Sequence, residues 1–441
     1  MKKYSKYKHS GIECLPAEEA GLGQIPEHWE VKRVKDVFLQ MSNSGSKLKP
    51  DSYIPLENIE SFTGKLIKKA SNDNNETTNL FTKDDLLLNK LRPYLGKVYL
   101  ADFDGGVSGE VIVLRPKRQL SIYTKYYLYR FLSIHFIGKI NSLTDGVKMP
   151  RTNPNKILVL EIGHPPLPEQ TAIAHYLDTK TQAIDQRIAL LEKKIGYYKE
   201  LRRSLINETV TKGLDRNVRM KVSELGFKTP EDWVQYRVKD LGFLYSGLSG
   251  KSGDDFNQDN NPDNKPFITF NNICNNTYIT ASQMGTVVVG KGEKQKSAKK
   301  GDIFFLMSSE GYEDIGKTSV LADDIDETYL NSFCKGFRVN QSKCNPFFLN
   351  YLMLSDYYRK LLVIEGKGFT RINLKMEKVT DFNIIIPSSI AEQQQIADYL
   401  DRKLETISNI VSNIQSQIAK LKELRKTLIN DVVTGKIMVT E

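Results

Sequence analysis

The chain has 441 residues, enough for two or three domains with buried cores. An apolar fraction of 40% beside 26% charged residues excludes global disorder, and no apolar run reaches the roughly 18 residues a membrane span needs. Sixty-three Lys and Arg against 53 Asp and Glu leave a formal charge of +10, which points to an anionic partner without naming it. The start, Met1-Lys2-Lys3-Tyr4, carries charge but no apolar stretch behind it, unlike a signal peptide. Cys14, Cys274, Cys334 and Cys344 are scattered, with no CxxC pair, and read as reduced thiols rather than metal ligands. The expectation is a soluble, cytoplasmic, multidomain chain with no metal site.

In chain order, an N-terminal segment (1–25) leads to Pro26-Glu27-His28-Trp29-Glu30-Val31-Lys32-Arg33-Val34-Lys35-Asp36. This motif returns at Pro230-Glu231-Asp232-Trp233 through Arg237-Val238-Lys239-Asp240, and the two copies hold the only Trp residues. A second pair is Glu169-Gln170-Thr171-Ala172-Ile173-Ala174 with Leu177-Asp178, against Glu392-Gln393-Gln394-Gln395-Ile396-Ala397 with Leu400-Asp401. The first pair is offset by 204 residues and the second by 223, so the stretch between them tolerates insertion. The chain is a twofold repeat of a variable module followed by a uniform one. The predicted parts are module 1 (26–160), a helical region (165–213), a linker (214–229), module 2 (230–386) and a second helical region (387–436). The variable modules read as mixed α/β. Lys83 to Leu88 and Lys300 to Leu306 are equivalent turn-plus-strand units, while Val111–Leu114 and Asn383–Ile386 are runs fit for buried strands. Segments near 124–140 and 345–363 have helical spacing and many aromatic residues, which core packing explains better than base stacking.

The uniform modules are long helices. Apolar residues fall at Ile184, Ile188, Leu191, Ile195, Tyr198, Leu201 and Leu205, and again at Ile407, Val411, Ile414, Ile418, Leu421, Leu424 and Leu428. Both series step 4, 3, 4, 3, 3, 4, a coiled-coil seam with one three-residue slip at the same place. Pro168 suits a first turn, Ser389-Ile390-Ala391-Glu392 is a capping box, and Gly213 and Gly435 stand just past the expected ends. The fold class expected is α+β: two mixed α/β domains alternating with two long helices that pair as an antiparallel coiled coil.

Three motifs invite a catalytic reading. Gly311-Tyr312-Glu313-Asp314-Ile315-Gly316-Lys317-Thr318 matches the phosphate-binding P-loop letter for letter, which leaves a stand-alone NTPase as an alternative. Against it, Ser319 to Asp324 looks like a short strand and turn rather than a helix, and Glu310, Glu313, Asp314, Asp323 and Asp324 would repel a triphosphate. Asn345-Pro346-Phe347-Phe348 is similar to the Asn-Pro-Pro-Phe/Tyr motif of amino-methyltransferases but lacks the second Pro; it and Thr124-Lys125-Tyr126-Tyr127 each read as a cap opening a helix. Glu192-Lys193-Lys194 is a nuclease-like triplet on a helix surface. No Ser/His/Asp or metal arrangement supports catalysis, so no catalytic residue is expected.

Two related modules on a helical spacer, basic and without an active site, suit a reader of bipartite DNA. Basic residues recur where the modules match: Lys90, Arg92 and Lys97 after the first strand, Lys317 aligned with Lys97, Lys148 and Arg151 in one turn, and Lys367 and Arg371 in the matching turn. Such residues hold phosphates or, for Arg, pair with guanine edges. A coiled-coil scaffold that binds DNA without enzyme partners stays open as another alternative.

The whole chain resembles the specificity subunits of type I restriction–modification systems. Ile25 to Asp36 is similar to the opening of a target-recognition domain in that family. Pro166-Leu167-Pro168-Glu169-Gln170, leading into Ile173-Ala174 and Leu177-Asp178, resembles the start of its conserved helical region, and Lys212-Gly213-Leu214-Asp215 the usual exit. The second half departs at Thr229 and at Ser388-Ser389-Ile390-Ala391. The resemblance implies a non-catalytic, DNA-reading subunit of a larger prokaryotic enzyme, cytoplasmic, with two methyltransferase subunits carrying S-adenosylmethionine. Restriction subunits would consume ATP with Mg. No cofactor is expected on this chain itself.

The charge is uneven. Residues 1–220 hold 35 basic and 25 acidic side chains, whereas 221–441 hold 28 of each. Residues 91–160 alone carry 11 basic and 4 acidic, so the first module is expected to show the larger salt dependence.

Overall fold

The computed structural model describes residues 3–9, 24–42, 52–68, 78–258, 260–368 and 370–439; Cys14 and Phe369 lie outside the described residues. The chain divides into two compact units, one of residues 1–192 with 414–441 and one of 193–413. Each unit contains one module and a stretch of both long helices, so neither helix belongs to a single module.

In unit 1 the strands Phe38–Met41, Val111–Pro116, Leu86–Asn89 and Val98–Leu100 form an antiparallel sheet in that spatial order. Leu86, Leu87 and Leu88 have no exposed surface, which is why an uninterrupted apolar run occupies an inner strand. A smaller sheet orders Tyr53–Ile54, Gly105–Ser108 and Thr78–Phe81. Helices Thr124–Leu132 and Ile134–Ser142 meet at Ser133, whose hydroxyl accepts the Phe136 amide. Tyr126, Tyr127, Phe131 and Phe136 are fully buried there, so these aromatics are core. Tyr123, not Thr124, is the N-cap residue; its amide is held by the Gln170 side chain at 2.9 Å, so no local cap is needed.

Unit 2 repeats the plan with more strands. Gly242–Ser246, Cys334–Val339, Ile303–Leu306, Thr318–Leu321 and Tyr278–Ile279 make the main sheet. Helices Pro346–Leu354 and Asp356–Ile364 meet at Ser355, and Asn345 caps the first by accepting the Phe347 and Phe348 amides. The two turn-plus-strand units match closely. Asp85 accepts Arg115 Nε and Nη2 at 2.8 and 2.7 Å, and Asp302 accepts Arg338 at 3.0 and 2.7 Å. Both carboxylates are almost wholly buried, and each holds its arginine above the usual guanidinium range. A strand pair, Met220–Val222 with Lys228–Pro230, spans the predicted linker and the first residue of module 2, corresponding to Tyr7–His9 with Gln24–Pro26 at the start of module 1.

The long helices are Leu167–Lys212 and Ile390–Val433. Within unit 1 Asp185 meets Arg425, and Tyr126 Oη donates to Gly163 O at 3.1 Å with Val433 O 3.5 Å away, so the second helix ends where the first begins. Within unit 2 a Cβ on Gly213, just past the first helix, would lie 3.4 Å from Glu392 Oε1 at the start of the second. The direction is antiparallel in both units. Gly213 and Gly435 terminate the helices at φ +75° and +77°; a Cβ on Gly435 would also fall 2.4 Å from Pro26. Ser389 caps the Glu392 amide at 3.4 Å, but the Glu392 carboxylate turns to the Trp233 indole at 3.1 Å instead of completing a capping box.

The seam differs from expectation at one place in each helix. Ile188, Ile407, Ile414, Ile418 and Leu428 are buried, and Ile184, Leu191, Ile195, Tyr198, Leu205, Val411 and Leu421 are half-buried. Leu201 and Leu424, however, are 49% and 53% exposed. Arg425, 5% exposed, takes the inward place next to Leu424. The run Ile414, Ile418, Leu421, Arg425, Leu428 steps 4, 3, 4, 3, so the heptad continues without a slip. An apolar count skips a position that an arginine fills. Arg425 donates to Asp185 at 3.0 Å and to the carbonyls of Phe62 and Thr63 at 2.6 and 3.2 Å, which satisfies the buried guanidinium. Arg202, at the same place in the first helix, is exposed and reaches Thr277 Oγ1 at 3.2 Å.

Candidate nucleic-acid interface

In module 1 the chain leaves the inner strand at Lys90, and backbone bonds bring three segments together. The Lys90 amide donates to Glu110 O at 2.9 Å, Thr152 N to Lys90 O at 3.0 Å, and Arg92 N to Pro150 O at 2.7 Å. Arg151 closes its own turn by exchanging backbone bonds with Asp145, leaving Val147, Lys148 and Met149 on an exposed tip. Its guanidinium, 55% exposed, donates to Glu110 Oε1 at 2.8 Å. Arg92 is exposed in the left-handed region at φ +49°. Lys90, Arg92 and Arg151 therefore form one cationic cluster with Lys148 on the tip beside it.

Lys97 does not join them. Its ammonium donates to the carbonyls of Leu56 at 2.9 Å and Glu57 at 3.3 Å, and burial holds it below the usual lysine range. Half-buried, it ties its strand to the 56–57 segment, a role that neighbouring positions in sequence do not reveal.

Module 2 builds the corresponding place from different side chains. Leu374 N donates to Met307 O at 2.8 Å, Ser308–Ser309 pairs with Ile372–Asn373, and Lys367 and Asn373 close the turn. The Arg371 guanidinium lies 5.3 Å from the centroid of the Phe333 ring, which is 56% exposed. Phe333 directly precedes Cys334, paired with the last residue of the inner strand, as Glu110 precedes Val111. Phe333 and Glu110 are thus equivalent.

The two turns correspond with a shift that sequence comparison misses. Asp145 and Arg151 close one turn, and Lys367 and Asn373 the other. The following short helices, Pro154–Leu158 and Met376–Thr380, are preceded by Asn153 and Lys375. All three anchors differ by 222, so Arg151 corresponds to Asn373 and Arg371 to Met149. Aligning the turn glycines and the Arg-x-Asn triplets displaces the match by two residues, because glycine positions within the turns differ while the closing backbone bonds do not. Each module still places an arginine beside the equivalent strand start, against Glu110 in one and Phe333 in the other.

Lys317 is paired with Asp314 at 2.6 Å, a bond that holds the Asp314 carboxyl below its usual range. The segment 311–318 is not a phosphate cradle. Gly316 N donates to Leu306 O at 2.7 Å, Lys317 N to Asp314 O at 2.9 Å, and Arg359 binds the carbonyls of Glu313 and Ile315. The next element is the strand Thr318–Leu321, antiparallel to Ile303–Leu306, so no helix N-terminus faces the loop. The Asn345 side chain caps its helix and donates to Gln394 at 2.6 Å, leaving no open amide for a target amine. Glu192, Lys193 and Lys194 are exposed on the first long helix. Among the described residues, no group of three or more His, Cys, Asp or Glu is placed to hold a metal ion, and no helix is long and apolar enough to cross a membrane.

Residues 26–194 and 230–420 each match the family described as the type I restriction modification DNA specificity domain. The chain belongs to that family. Its doubled match reproduces the internal repeat, and it is a type I specificity subunit, the non-catalytic component of such a system. The MjaVIII specificity subunit of Methanocaldococcus jannaschii is 23% identical over 94% of both chains. The EcoKI specificity subunit of Escherichia coli is 28% identical over 48% of this chain and 44% of the relative. Among solved structures, a chain from work on complex assembly and conformational transition of the type I R-M system aligns with a TM-score of 0.72 at 18% identity, covering 94% of this chain and 99% of that one. The HsdS subunit from Thermoanaerobacter tengcongensis aligns at 0.54 and 17%, covering 96% and 100%. These likenesses concern the fold. In this specificity subunit Glu110, Phe333 and the Ser308–Ser309 pair were not singled out from sequence. Counting back from the apolar strands after Glu110 and Phe333 is the signal that would have paired them.

Proposed function

We propose that this specificity subunit reads a bipartite double-stranded DNA target, one half-site per module, with the paired helices setting the spacing between halves. Two methyltransferase subunits carrying S-adenosylmethionine dock on it, and restriction subunits add ATP- and Mg-dependent translocation and cleavage, in a prokaryotic cytoplasm. The observation that carries the DNA-reading role is the equivalent place in each module, where an exposed arginine stands beside Glu110 in one and Phe333 in the other. A shared backbone with different side chains at one surface position is what two readers of different half-sites require. Docking along the helices is supported by Leu190, Tyr197, Leu201 and Leu424, apolar side chains that are 49% to 68% exposed.

Mapping methylated adenines by single-molecule sequencing, in cells carrying the assembled complex, tests the reading. Two half-sites with a fixed spacer are expected. Arg151→Ala relaxes one half and Arg371→Ala the other; equal loss in both halves from either variant overturns the one-module, one-half-site assignment. A chain that binds DNA but never co-purifies with a methyltransferase supports the scaffold alternative.

A further inference from the structure

Module 2 contains a pocket of about 420 Å³ beside Arg371, within the size range of ligand sites. Ser308 and Ser309 lie along it, placed by their pairing with Asn373 and Ile372. Phe333 and Arg371 line it as one stacked pair. Two carboxylates also line it, and they differ. Asp314 already accepts Lys317 Nζ at 2.6 Å and Cys274 Sγ at 3.2 Å. Glu310 is exposed and has no hydrogen bond or ion pair among the described residues.

The lining selects its ligand by charge and shape. The carboxylate of Glu310 disfavours a phosphate beside it, while that of Asp314 is offset by Lys317. A carboxylate oxygen accepts hydrogen bonds, and the groups that donate from base edges are N–H groups. The exposed Phe333 ring offers an apolar surface for the edge of a base in the groove. Arg371, at the rim, has no carboxylate partner among the described residues and remains available for a neighbouring phosphate. At the equivalent place in module 1 Arg151 donates to Glu110 Oε1, Glu110 Oε2 is buried without a partner among the described residues, and the cluster is cationic.

We infer that this pocket is a base-reading site in which Glu310 accepts the exocyclic amino group of one cytosine or adenine of the module 2 half-site, against Phe333. The inference rests on the DNA-reading function proposed above and names the chemistry that one module selects. Every base pair carries such an amine, so the discrimination lies in which strand and position present it to Glu310.

The test uses the chain assembled with its methyltransferase subunits and duplexes carrying the mapped target. Each cytosine and adenine of the half-site is replaced singly by 2-pyrimidinone or purine, which lack the amine. The expected result is one position where this change weakens binding by the wild type roughly 5- to 150-fold, the usual range for one specific base contact. In Glu310→Ala, native and amine-free duplexes then bind alike at that position, while substitutions in the other half-site act as before. Phe333→Ala weakens binding of that half-site whichever base is present. If amine removal costs the same in the wild type and in Glu310→Ala at every position, the pocket assignment fails while DNA reading stands. If the wild-type complex shows no bipartite preference at all, DNA reading fails and the assignment with it.

Discussion

Gln393 Oε1 accepts the Asn345 amide at 2.7 Å while its Nε2 donates to Pro387 O at 2.8 Å, and the side chain has no exposed surface. Gln170 makes the same two bonds in the other module, to Tyr123 N at 2.9 Å and Pro165 O at 2.8 Å. Each glutamine thus stitches the start of a long helix to the start of a module helix. Replacing Gln393 by Ala leaves a buried donor and a buried acceptor unpaired, so a loss of about 1 to 3 kcal/mol is expected. A lowered denaturant midpoint of the purified chain measures it, and an unchanged midpoint would falsify the bracing role.

Arg425 and Leu424 make opposite predictions from adjacent positions. Arg425→Ala leaves the Phe62 and Thr63 carbonyls without their donor, while Asp185 keeps Lys65 at 2.6 Å, and is expected to destabilise by roughly 1 to 3 kcal/mol. Leu424→Ala, at an exposed site, is expected to cost under about 0.5 kcal/mol. Urea titration of the two variants compares them directly. A larger loss for Leu424→Ala would restore the slipped seam.

Salt dependence separates surface lysines and arginines from internal ones. Removing the exposed Arg92 side chain should lower the slope of log affinity against log salt by about one unit. Lys97→Met should leave that slope unchanged, because the ammonium is spent on Leu56 and Glu57 carbonyls. Titrations of target duplex at several salt concentrations decide the matter.

His135 sets an acid limit on unit 1. Burial, helped by nearby Arg130, pushes its imidazole down to about 2, so it is neutral in the folded protein. The unfolded chain takes up a proton below about pH 6.5 and the folded chain does not. Stability from this group is therefore present above that pH and lost on acidification, by up to about 1.4 kcal/mol per pH unit. His135→Phe should flatten stability against pH between 6.5 and 4 in urea titrations. A variant that loses stability on acidification as steeply as the wild type would assign the acid sensitivity elsewhere.

Much of the plan was legible because it is periodic or repeated. The paired Trp29 and Trp233 motifs, the helix-ending Gly213 and Gly435, and the Asp85 and Asp302 turns follow from spacing and local chemistry. Local chemistry failed where a partner lies far along the chain. Thr124 is not a cap because Gln170, 46 residues away, already holds the helix start. Arg425 hid the heptad because a charged side chain reads as surface until Asp185 and the 62–63 carbonyls are seen around it.

By itself, then, the sequence determined the duplication, the alternation of modules with long helices, and the family. Hydrophobic periods and repeated motifs record those through local backbone preference and burial. Only the tertiary structure decided that Arg151 corresponds to Asn373, that Lys97 is spent on the Leu56 and Glu57 carbonyls, and that Glu310 lines one pocket with Phe333 and Arg371. The reason is physical. A side chain is committed or available according to the backbone groups and charges that folding brings beside it, and sequence neighbours do not specify those.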